Sequence, residues 1–160
     1  MIDRADLIEM KVPAKPEYVG VIRLTVSGIA NRIGYSYDEI EDIKIAVAEA
    51  CTNVVDHAYE EEGLIRVSFH VYEDRLEVVV ADQGQSFDVE EIRSTMGPVS
   101  ADAKVTELKE GGLGLFLIST LMDKVEISEE QGVILIMTKF LQRDGVERYV
   151  DETSATTQER

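Results

Sequence analysis

Glu49 and Asn53 stand one helical turn apart in Glu49-Ala50-Cys51-Thr52-Asn53, which stacks a carboxylate and a carboxamide on the same side of a helix. Two side chains so placed can share a ligand, such as a hydrated Mg²⁺ or an attacking hydroxyl. Two further loops carry residues suited to chemistry. Asp82-Gln83-Gly84-Gln85-Ser86-Phe87 follows an apolar run, and its glycine lets the backbone approach a ligand closely. Gly111-Gly112-Leu113-Gly114 opens an apolar stretch of helical pattern, so it offers exposed amides at a positive helix end with no side chain in the way. Taken singly, each pattern also fits a plainer role: a solvated helix face, a turn, a flexible helix entry.

The elements that must position these residues are legible from periodicity. The predicted central helix runs from Tyr37 to about Tyr59. Ile40, Ile43, Val47, Ala50 and Val54 share one stripe, with Glu49, Asn53 and Asp56 on another roughly 120° away. Ser36-Tyr37-Asp38-Glu39 is a capping box that starts it. An earlier helix is expected from about Glu17 to Ile33, with Pro16 in its first turn and Gly34 as its left-handed cap. Arg23 stands beside that helix's apolar stripe. Asp6 to Val12 reads as an outer strand stopped by Pro13. The runs 64–72 and 76–82 form an antiparallel hairpin, and 124–128 with 132–141 close the chain as a second strand pair. Between Asp88 and Glu110 only a short helix near Val89 is suggested, so this stretch reads as a lid or binding loop.

This order predicts an α+β fold, a two-layer sandwich with helices on one face of a mainly antiparallel or mixed sheet. Residues 1–141 are expected to form one domain and 142–160 a polar, flexible tail. No Walker-type loop and no dinucleotide fingerprint is present, so phosphates would be bound in another way. With 32 acidic against 16 basic residues, the charge of -16 argues against a nucleic-acid binder. Basic protein partners fit better. The single cysteine, Cys51, excludes disulfides within the chain and suits a reducing compartment, where it reads as a small buried apolar residue. No signal peptide and no run of membrane-spanning length is recognisable, so a cytoplasmic location is expected. His57 and His70 have no second histidine or cysteine at metal spacing, which disfavours a transition-metal site.

In combination, Glu49 with Asn53, Asp82-x-Gly84-x-x-Phe87, a lid and the Gly111-Gly112-Leu113-Gly114-Leu115 turn resemble the ATP-binding fold shared by gyrase, heat-shock chaperones, MutL and histidine kinases. The segment Asp42-Ile43-Lys44-Ile45-Ala46-Val47-Ala48-Glu49, continuing to Asn53, together with the early Pro-Glu-Tyr helix, narrows this to a resemblance to the anti-sigma factor serine-protein kinases. The resemblance implies ATP and Mg²⁺ as cofactors, phosphorylation of a serine on an anti-anti-sigma protein, sequestration of a sigma factor of the sigma-B type, and a homodimer. It further implies Glu49 as catalytic base, Asn53 as Mg²⁺ ligand and Asp82 as acceptor for the adenine amino group. Gly84 and the turn of Gly111, Gly112, Leu113 and Gly114 would approach base and phosphates, Thr138 would lie near the adenine, and Arg23 would contact a partner. Glu110 departs from the related sporulation kinase, which has an arginine there, and leaves Lys104 or Lys109 to meet the γ-phosphate. Two other readings stay open: a non-catalytic, nucleotide-gated protein-binding module and a simple ATPase. Glu49 favours catalysis, since binding alone needs no base at that place.

Overall fold

Alternating side chains on β-rich runs and a 3.6-residue period on the longer segments give one sheet with helices on one face. The structure is a computed structural model that describes residues 5–57, 63–82, 97–98, 112–128 and 133–141. Its elements are β1 (Asp6–Pro13), α1 (Pro16–Ile33), α2 (Tyr37–His57), β2 (Leu64–Val71), β3 (Arg75–Ala81), β4 (Gly97–Pro98), α3 (Gly112–Leu121), β5 (Lys124–Ser128) and β6 (Ile134–Phe140). The strands join in the order β1-β2-β3-β6-β5-β4, and every pairing among the described residues is antiparallel. The short β4, paired with Ile127 and Glu126, lies in the stretch that the sequence pattern leaves as a lid. The rest of that stretch lies outside the described residues, as does the expected tail beyond 141.

Local chemistry sets the element ends. Gly34 adopts φ 111°, where a side chain would strain the backbone, and its N–H donates to the Ala30 carbonyl to close α1. Ser36 and Glu39 form the reciprocal cap: the Ser36 N–H donates to Glu39 Oε1 at 2.9 Å and the Glu39 N–H to Ser36 Oγ at 3.2 Å. The Tyr72 N–H donates to the Arg75 carbonyl across the β2–β3 turn. α1 and α2 thus form a hairpin that lies on the sheet.

The core fills the space between the two layers. Ile22 and Val26 of α1, Ile43, Val47 and Ala50 of α2, and Ile118 of α3 are almost wholly removed from water against Val67, Phe69, Val78 and Met137 of the sheet. Each of the larger of these side chains contributes about 1.5–3 kcal/mol of burial, and truncating Ile43 to alanine, which also leaves a cavity, would cost about 2–5 kcal/mol. The stripe that faces the core on α2 is the one its periodicity predicts, which turns Glu49 and Asn53 away from the sheet's centre. Among the described residues no helix is long and apolar enough to cross a membrane.

Candidate active site

The two predicted chemical residues of α2 meet the glycine turn. Glu49 and Asn53 are both half-buried, and α3 packs beside them so that Gly114, third residue of that helix, faces the pair. A Cβ at position 114 would lie 3.3 Å from Asn53 Nδ2, 3.3 Å from Asn53 Oδ1 and 3.3 Å from Glu49 Oε2. The glycine is therefore explained by close approach: positive φ is confined to Gly34 among the described residues. Gly112 begins α3, and Leu113 follows in its first turn. That turn contains no acidic residue, so no carboxylate of its own competes with an anion for the positive end of the helix. A carboxylate, a carboxamide and helix-terminal amides thus converge on one spot.

Asp82 follows β3 directly, and its N–H donates to the Val133 carbonyl at 3.2 Å, extending the β3–β6 ladder by one residue. Alternation then keeps Asp82 on the side of Val78 and Val80, the face that meets the helices. The carboxylate is half-buried at the sheet end of the layer interface. Gly84 and Gly111 lie outside the described residues, as do Glu110, Lys104 and Lys109.

Thr138 is placed elsewhere. It pairs with Glu77 on β3 and with Lys124 on β5. Its neighbours in the strand, Met137 and Lys139, point toward the helices, so Thr138 points to the opposite face of the sheet, where it is buried. It is not brought together with Glu49, Asn53 and Gly114. Its face is not legible from the pattern of β6, Ile134-Leu135-Ile136-Met137-Thr138-Lys139-Phe140, which carries apolar residues on both sides, so period-two alternation chooses neither. Arg23 is exposed on α1, away from the buried stripe of Ile22, Val26 and Ala30.

Cys51 is fully buried, and burial pushes its thiol up to about 12. It is an inert packing residue next to the polar stripe. Tyr35, just after the α1 cap, is also buried and its hydroxyl is pushed up by desolvation; it donates to the Lys139 carbonyl at 2.5 Å. Lys139 itself is a buried cation that no motif singles out. Its one signal in the sequence is a lysine at the same parity as Leu135 and Met137 in an otherwise apolar strand.

The group that the sequence resemblance implies for this site is a nucleotide with Mg²⁺. Among the described residues no three His, Cys, Asp or Glu side chains gather to hold a metal alone. One carboxamide beside a carboxylate does fit Mg²⁺, which takes few protein ligands and completes its shell with phosphate and water.

Residues 12–139 match the histidine kinase-like ATPase domain. The chain belongs to that family. It is 65% identical to the serine-protein kinase RsbW of Halalkalibacterium halodurans over 159 residues, covering 99% of this chain and 98% of that protein. It is 56% identical to the serine-protein kinase RsbW of Bacillus subtilis, covering 92% of this chain and 93% of that one. Within the ATPase family, then, this chain is a member of the RsbW group. Among solved structures, a crystal structure of RsbU and RsbW domains from Mycobacterium tuberculosis resembles it with a TM-score of 0.60 at 18% identity, over 84% of this chain. This chain spans 32% of that longer one, and the likeness concerns the fold alone. The α+β sandwich of the family is the architecture that holds Glu49, Asn53, Gly114 and Asp82.

Proposed function

We propose that this protein is an ATP-dependent protein-serine kinase and anti-sigma factor. It phosphorylates a serine of an anti-anti-sigma protein and otherwise sequesters a sigma factor of the sigma-B type, as a cytoplasmic homodimer. The observation that supports the reading best is the convergence of Glu49 Oε2 and the Asn53 carboxamide on Gly114 in the first turn of α3. The relatives named serine-protein kinase RsbW support the substrate class.

In this reading Asp82 accepts a hydrogen bond from the adenine amino group, which selects adenine over guanine, whose carbonyl would face a carboxylate. Gly84 and the 111–114 turn, Leu113 included, let the backbone approach base and phosphates. Asn53 would hold Mg²⁺, which would offset negative charge on the transferring phosphate when bound. Glu49 orients the serine hydroxyl and takes its proton as the serine oxygen bonds to the γ-phosphorus and the bond to the β,γ-bridging oxygen breaks. Arg23 contacts a partner protein across the exposed side of α1. The phosphoserine adds negative charge opposite a chain already at -16, which favours its release and frees the kinase for the sigma factor.

The test is incubation with γ-labelled ATP and the candidate anti-anti-sigma protein, beside a form of that protein whose serine is alanine. Label should appear on the serine only, and Glu49→Gln should bind ATP normally yet lose transfer by about a hundredfold or more. ATP-dependent partner binding without transfer would favour the nucleotide-gated module instead. Phosphate release that ignores the partner would favour a simple ATPase.

A further inference from the structure

α3 has no basic residue in its last turn, so its own sequence leaves the negative helix end without a cation. β6 supplies one. Lys139 is 8% exposed, and its Nζ donates to the Leu121 carbonyl, the last residue of α3, at 2.7 Å. The same Nζ lies 4.0 Å from Asp42 Oδ2 on α2. Lysine is almost never this buried unless its charge is matched, and here the partners are a helix-terminal carbonyl and a half-buried carboxylate. The strand that carries it is anchored on all sides. Lys139 accepts from the Tyr35 hydroxyl through its carbonyl, the Asp123 N–H donates to the Thr138 carbonyl, and the Phe140 N–H donates to Asp123 Oδ2.

This junction and the active site are the two ends of one helix pair. Gly114 lies against Glu49, and Leu121 is tied through Lys139 toward Asp42, so α2 and α3 run antiparallel. Seven residues separate the two positions on each helix, a rise of about 10.5 Å on both. The helices are therefore in register, clamped at one end by the ammonium and meeting at the other where even a Cβ on residue 114 would stand only 3.3 Å from Glu49 and Asn53. We propose that Lys139 is a positioning residue for phosphotransfer: it fixes the axial position of α3 on α2 and thereby the gap between Gly114 and the Glu49–Asn53 pair. A slide of α3 by a fraction of an ångström closes or opens that gap, and side chains matched to a transition state lose rate steeply with such displacements.

The inference rests on the kinase reading, and the experiment separates the two. Nucleotide affinity by calorimetry and single-turnover transfer are measured for wild type, Lys139→Met, Lys139→Arg, Gly114→Ala and the Lys139→Met/Gly114→Ala double variant. Lys139→Met should lose about tenfold in transfer and bind ATP more weakly, and Lys139→Arg, which keeps charge and donor, should recover most of both. If the two sites act through one gap, the double variant should be little worse than the worse single variant. A residue that only holds the fold together would give losses that multiply and that follow the urea midpoint. Multiplying losses, or wild-type affinity and rate in Lys139→Met, would overturn the inference. If Lys139→Met does not fold, Lys139→Gln, which retains a donor for the Leu121 carbonyl, takes its place under the same criteria. Absence of transfer in the wild type would overturn the kinase reading, while the calorimetric cycle would still decide the role of Lys139.

Discussion

Replacing Gly114 by alanine tests the geometry of the site with a single methyl group. The new Cβ would sit 3.3 Å from three polar atoms, two of Asn53 and one of Glu49, closer than ordinary contact, so these side chains must retreat by a few tenths of an ångström. They stand on α2, whose Val47, Ala50 and Val54 are locked in the core, so the retreat falls to the side chains and to α3. Overpacking costs about 1–3 kcal/mol, and alanine's better helix propensity offsets about 0.5–1 kcal/mol of it. Net stability should therefore fall by no more than about 2.5 kcal/mol. A misplacement of about 1 Å can cost a hundredfold in rate, so a few tenths should cost about tenfold, or about 1.4 kcal/mol of barrier. Single-turnover transfer from labelled ATP reads the rate, calorimetry the nucleotide affinity, and urea unfolding the stability. A variant with wild-type rate and affinity would refute the close approach as a functional constraint, whatever its stability.

Asp82→Asn should weaken ATP binding, since an amide can present a donor to the adenine amino group; unchanged affinity by calorimetry would remove Asp82 from the site. Stability should fall as pH rises above 9 toward 12, because the unfolded Cys51 thiol ionises near 9.0 while burial holds the folded one at about 12. The folded state binds more protons in that window, so the slope is negative, and Cys51→Ala should flatten it by up to about 1.4 kcal/mol per pH unit; an unaltered slope would show that the thiol is not what titrates. Arg23→Glu should weaken sigma-factor or anti-anti-sigma binding and leave ATP affinity intact. Normal binding of both partners would make Arg23 an ordinary exposed residue.

Contiguous residues determine much of this protein on their own. The cap at Ser36 and Glu39, the left-handed Gly34, the β2–β3 turn and the two stripes of α2 depend on neighbours a few positions away, so the amino-acid order alone makes them legible. The Glu49–Asn53 pair is visible for the same reason. Tertiary structure alone decides which distant pieces meet. Nothing local to Gly114 says that its missing Cβ makes room for Asn53, because that contact exists only once α3 lies antiparallel on α2. Nor does a β6 with apolar residues on both sides say which face meets the helices; the β3–β6 register puts Met137 and Lys139 toward them and Thr138 away. The cation that ends α3 is a tertiary matter too, since the helix carries none in its last turn and a strand later in the chain supplies it across the fold. Periodicity fixes a residue's face relative to its own element, whereas the partner of that face depends on how elements separated in sequence pack to bury their apolar surfaces.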